Sequence, residues 1–172
     1  MLPSKLSPTF IVSWAQLERH IKLFHEGRLS LKNFSYFEES YLSDNFDDNV
    51  SSTMAEHHYE LVVNELHVLA KEILLLAGDR DAKEMDSQSL IIRLATREIL
   101  PRDLAQKLNY QRKQKNDLQL QHSDIDIQKV WNEMNSFEKS LPLIVKSLHS
   151  WLASKGYNLK ELKTDFSELQ LE

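Results

Sequence analysis

The stretch TMAEHHYELVVNELHVLAKEILLLAG, residues 53 to 78, decides the fold. Leu61, Val62, Leu66, Leu69, Ile73 and Leu76 recur at spacings of three and four, which lays a wide apolar face along one helix. Thr53 and Glu56 have the spacing of a capping box, so the helix is expected over about 53–77. Gly78 is expected to end it as a left-handed residue. A face this wide suggests a helix packed on several sides, at the centre of a bundle.

Working outward, Phe10, Trp14, Leu17, Ile21 and Phe24 predict an amphipathic helix over 8–26 that stops at Gly27. The following RLSLKNFSYFEESYLSDNFDDNVSS reads as an irregular connection with a short helix around 31–42. Its DNFDDN run lacks the ligand spacing and closing Glu of an EF-hand loop and reads as a solvated turn. Beyond the central helix, GDRDAKEMD reads as a loop. Asp86 caps a helix through SQSLIIRLATREI, and Pro101 opens the next, PRDLAQKLNYQRKQKN. Ser123 or Asp124 then caps a long segment in which Ile127, Val130, Trp131, Met134, Phe137, Leu141, Ile144, Leu148 and Trp151 keep a helical period to Gly156. Pro142 is expected to kink or break it. Asn158 with Glu161 marks a short tail helix. No segment alternates as a strand would. The expectation is one all-α domain over 1–172, a helical bundle of five to seven helices. It divides into an N-terminal helix and connection (1–52), a core (53–156) and a short C-terminal helix (157–172).

Composition narrows the function. With 172 residues, 41% hydrophobic and 27% charged, the chain suits a single soluble core. Its net charge of −5 creates no general attraction to nucleic acid or anionic lipid, so any RNA contact must be a local basic patch. No cysteine is present, which removes disulfides, thiolate metal sites and a Cys nucleophile. No apolar run suits a signal peptide or a membrane span, and a cytoplasmic location is expected. The three glycines all follow helical segments, so none is left for a phosphate-cradling loop.

His57, Glu60, Asn64 and His67 form one stripe on the central helix, a conceivable metal site. His57 and His67 are about 15 Å apart along the axis, however, so one ion cannot join them. A polar stripe opposite the core is the better reading, and the same holds for His20 and His25. Trp14, Trp151, Phe34, Tyr36 and Phe37 exceed what a small bundle needs inside, which suggests an interface between two copies.

The remaining candidate is NYQRKQKNDLQLQHSDID, residues 109–126. Lys115 and His122 are seven apart, nearly on one face and about 10 Å apart if a helix continues. A cation and an imidazole on one scissile phosphate could divide the work without a metal: charge stabilisation by one, proton transfer from a 2′-hydroxyl by the other. A solvated basic face at a helix end is the competing reading.

The order of these features resembles the HEPN superfamily, in particular the toxin half of HEPN–minimal nucleotidyltransferase toxin–antitoxin pairs. The resemblance covers about 55–153: the long apolar helix, a short helix running into REILPRDLAQKLNYQR, a basic residue with Asn ahead of a His, and a last helix DIQKVWNEMNSFEKSLPLIVKSL. It implies an up-and-down bundle with an added N-terminal helix, acting as a homodimer of toxin–antitoxin, defence or stress type, with an antitoxin or other protein as partner. It also implies a metal-independent endoribonuclease that needs no cofactor. Carried onto this chain, His122 is the general acid/base, Lys115 stands at the family's Arg, Asn116 is the polar residue after it, and Arg112 is a further guanidinium. Lys115 lacks the planar fork of Arg, and Asp124 stands where the family often has Tyr. A catalytically inactive module of the same fold that binds a protein or nucleic acid is the alternative.

Overall fold

The computed structural model describes residues 4–43, 46–110 and 127–162, with the side chains of 46–54 outside that description. Among these residues the protein is all-α, a helical bundle built from α1 (Pro8–Ser30), α2 (Phe34–Leu42), α3 (Phe46–Leu76), a 3-10 turn (Arg80–Glu84), α4 (Ser87–Thr96), α5 (102–110) and α6 (Ile127–Ser154). The one β contact among them is an isolated bridge between Ser4 and Tyr157, which ties the start of the chain to the turn after α6.

α3 is the central helix expected from its apolar face, and it packs against α1, α2 and α4. Val62, Val63, Leu66, Leu69, Ile73 and Leu74 are buried along it, whereas Leu76 is partly exposed. The expected start at Thr53 is corrected, because α3 begins at Phe46, about two turns earlier. A capping-box pair is a local preference of order 1 kcal/mol, and here Thr53 and Glu56 are internal to the helix.

α1 also runs past its expected end. Gly27 is helical, not a cap, and α1 continues to Ser30. A Cβ at Gly27 would lie 3.7 Å from the Ala55 Cα, an ordinary van der Waals contact, so α1 packs on α3 here with room for one. The left-handed position instead falls on Lys32, at φ 62°. α2 starts at Phe34, later than expected, because the Asn33 side chain caps it by accepting from the Tyr36 amide at 2.9 Å.

Asp86 caps α4 as the sequence predicts, accepting from the Ser89 amide at 2.7 Å. The preceding loop differs from expectation, since it holds the 3-10 turn and buries Asp79. α6 is unbroken through Pro142. Proline costs a helix interior about 3 kcal/mol, and the burial of Phe137, Leu141, Ile144, Val145 and Leu148 on both sides offsets that. At Asn158 the chain makes an Asx turn, with the side chain accepting from the Lys160 amide at 3.1 Å. The helix expected beyond it falls largely outside the described residues.

Aromatic rings weld the three long helices. Phe24 of α1, Tyr59 of α3 and Phe137 of α6 form a triangle with centroids 4.8 to 6.1 Å apart. Phe37 of α2 packs on Trp131 of α6 at 5.2 Å. The expected aromatic surplus is thus mostly absorbed: Trp14 and Phe37 are fully buried, Phe34 and Trp151 are half-buried, and Tyr36 alone of the five is exposed.

Candidate functional site

Arg112, Lys115, Asn116 and His122 all lie outside the described residues, as do the expected caps Ser123 and Asp124. What is described is the frame that holds them. Ala105 and Leu108 anchor α5 in the core, and Val130 and Trp131 anchor the first turns of α6. The two helix ends are neighbours. Burial raises the pKa of Glu133 on α6, and the charges of Lys129 and of Lys107 on α5 pull it back. Lys107 in the last turns of α5 therefore lies within electrostatic reach of Glu133 in the early turns of α6.

The same end of the bundle carries a cluster of half-buried acids. Glu56 on α3 is pushed up to about 7, first by burial and then by the charge of Glu60. Burial raises the phenols of Tyr41 and Tyr59 as well, with Glu56 acting on Tyr41 and Glu133 on Tyr59. Periodicity could not find this cluster, because its members sit on three helices.

A second polar cluster overturns the reading of His25 as a surface residue. His25 and Glu138 are buried, and the imidazole Nδ1 contacts one oxygen of the Glu138 carboxylate while Arg28 pairs with the other. Arg28 also donates to the Asn135 side chain at 3.1 Å. Burial and the Arg28 charge push the His25 pKa down, against a smaller opposing effect of Glu26. With Arg28 neutralising Glu138, a neutral His25 donating through Nδ1 leaves the cluster balanced. The cluster bolts α1 to α6 and is structural in character. His20, which shared the surface reading, is half-buried. His57 is exposed and Glu60 and His67 are intermediate, and no group among the described residues could hold a metal ion.

At the opposite end of α6, three helices finish together. α3, α4 and α6 each end in a Schellman turn, with the left-handed position at Gly78, Glu98 and Gly156. The closing amides are those of Asp79, Ile99 and Tyr157, which bond to Leu74, Leu94 and Leu152. Asp79 is buried and held by Arg97 at 3.1 Å and Arg93 at 3.5 Å. Beside it lies a pocket of about 390 Å³ lined by Leu76, Ala77, Arg97, Ile99, Trp151, Lys155 and Tyr157. The Lys155 ammonium sits 5.9 Å from the centre of the Trp151 ring. Two of the three turns were signalled by their glycines, whereas Glu98 at φ 59° carries no such signal.

Comparison with known proteins adds no relative: no family model, no curated protein and no solved structure matches the chain. Among the described residues no helix is long and apolar enough to cross a membrane.

Proposed function

We propose that this chain is a HEPN-like helical protein that acts on RNA as a homodimer, with residues 111–126 as its working segment. The observation that supports this most is the frame of that segment. α5 and α6 are anchored by buried side chains on either side of it, and Lys107 and Lys129 flank it at adjoining helix ends. Arg112, Lys115, Asn116 and His122 all fall in the sequence between these two anchored helices.

In this reading His122 moves the proton of the attacking 2′-hydroxyl, Lys115 and Arg112 hold the scissile phosphate, and Asn116 orients them. Local cations suffice for this despite the net negative charge, since phosphate contacts act within about a Debye length, roughly 8 Å at physiological salt.

The test is RNA cleavage in EDTA by the parent protein and by His122→Ala. Cleavage leaving 2′,3′-cyclic ends, lost in the variant, is the expected result. Cleavage that persists undiminished in His122→Ala would remove the assigned chemistry. No cleavage by either protein would turn the assignment to the inactive binding module of the same fold, for which light scattering and RNA gel shift are the next measurements.

A further inference from the structure

We propose that the pocket at the joint C-terminal ends of α3, α4 and α6 binds a nucleoside monophosphate unit, with its base against Trp151 and its phosphate between Arg97 and Lys155. Trp151 lies roughly 36 Å along α6 from Ile127 at ~1.5 Å per residue, so the proposal does not rest on the ribonuclease reading.

Three observations carry it. The pocket volume of about 390 Å³ falls within the range of small-ligand sites, roughly 300–1,000 Å³. Its described lining holds two cations, two aromatic rings and three apolar side chains, but no acid. A flat base with a phosphate matches that combination, because aromatic faces stack bases and a guanidinium fork grips phosphate oxygens.

The cations have a competing explanation, since positive side chains compensate helix C-termini. Here the Schellman turns already satisfy the carbonyls of Leu74, Leu75, Leu94, Ala95, Leu152 and Ala153 through backbone amides. Arg97 uses its Nε on Asp79 and reaches the Ala77 carbonyl through Nη1 at 3.5 Å. Its anchoring by a buried carboxylate fixes the fork at the rim of the pocket, which is how preorganised phosphate sites hold their arginines. Lys155 is exposed and lies on a ring face. Its flexible stem can leave that face to a base and still reach the phosphate.

The ligand can be a free mononucleotide or the 5′-terminal nucleotide of an RNA, and the experiment separates them. Trp14 and Trp131 are buried, whereas Trp151 is half-buried in the lining, so ligand quenching of tryptophan fluorescence reports on this pocket. The full-length protein is titrated with AMP, GMP, inorganic phosphate, and a short RNA with either a 5′-phosphate or a 5′-hydroxyl, with calorimetry as a second readout. Quenching by AMP or GMP with Kd below about 1 mM, and weaker binding of phosphate alone, is expected. Lys155→Ala should weaken AMP roughly tenfold, about 1.4 kcal/mol. Competition by the 5′-phosphorylated RNA, and not by the hydroxyl form, assigns the terminal nucleotide; absence of competition assigns the free one. Arg97→Lys tests the fork and keeps a cation near Asp79. Absence of quenching and of heat with both mononucleotides overturns the proposal. So does equal AMP affinity in the parent and Lys155→Ala, and so does phosphate alone binding as tightly as AMP.

Discussion

Replacing Glu138 by Gln isolates the charge at the centre of the α1–α6 junction while keeping the side chain's shape. In the parent, one carboxylate oxygen faces the His25 imidazole and the other pairs with Arg28. Glu138 is 2% exposed, so water cannot replace it, and the Arg28 side chain is 22% exposed, so its guanidinium is only partly rehydrated. Removing one partner of a buried pair costs about 3–5 kcal/mol. The partial exposure of Arg28 and its remaining bond to Asn135 argue for the lower end, about 3 kcal/mol. For a domain of this size each kcal/mol moves the melting temperature by about 2–4 °C, so Glu138→Gln should melt roughly 6–12 °C below the parent.

Differential scanning calorimetry at pH 7.5 is the assay, with far-UV circular dichroism to check that helix content is kept. The triple variant His25→Leu, Arg28→Met, Glu138→Leu is the counterpart. Removing all the charges together is often neutral or stabilising by about 1–4 kcal/mol, so it should melt at or above the parent. A Glu138→Gln variant within about 2 °C of the parent would refute the reasoning, because the carboxylate would then carry no charge that the fold depends on.

The Glu56 carboxyl gives a pH prediction. Its folded pKa of about 7 lies above the ordinary value of 4.5, so the folded protein holds a proton that the unfolded chain has lost between those values. Stability tied to Glu56 is therefore full below about pH 4.5 and is lost as pH rises through 7. Glu56→Gln should match the parent in thermal melts near pH 4.5 and exceed it at pH 8 by up to about 3 kcal/mol; equal stability at pH 8 would contradict the burial of that carboxyl. The two kinds of glycine make opposite predictions for alanine. Gly27→Ala should stabilise by up to about 1 kcal/mol, because the site is helical and the nearest atom to the new Cβ is 3.7 Å away. Gly78→Ala, at φ +87°, should destabilise by about 1–2 kcal/mol in urea titrations. Loss of stability in both would mean that Gly27 is a cap after all.

Apolar periodicity made the helices legible, because a buried stripe is written along one element. The apolar faces of α1, α3 and α6 and the Asp86 cap were all readable this way. Errors gathered where one local signal competed with packing. The Thr53 capping box is internal to α3, and Gly27 meets Ala55 instead of closing α1. Pro142 is carried within α6 by the burial on both sides of it. The polar clusters were illegible for a different reason. His25 and Glu138 are 113 positions apart, and Asp79 lies 18 positions from Arg97. Each of these residues taken alone has the look of a solvated surface group. Only the docking of one helix on another reveals that its charge is buried and matched. The acids around Glu56 are likewise spread over separate helices, α3 and α6.

The two ends of α6 differ in kind. At its N-terminal end the buried groups near the surface are acids and phenols, with Lys107 and Lys129 as the nearby cations. At its C-terminal end the described pocket lining is cationic and aromatic, and Asp79 is committed to Arg93 and Arg97. At the first end burial raises Glu56 and Glu133 above the ordinary carboxylate value, which reduces the negative charge there. A phosphate approaching the second meets fixed cations directly. A net charge of −5 is an average over the whole chain and does not set the field at the pocket, whose described charged lining residues are Arg97 and Lys155. Between them the His25–Arg28–Glu138 cluster contributes no net charge while it keeps α1 and α6 in register. The field at either end can then change by substitution without moving the frame that holds the other.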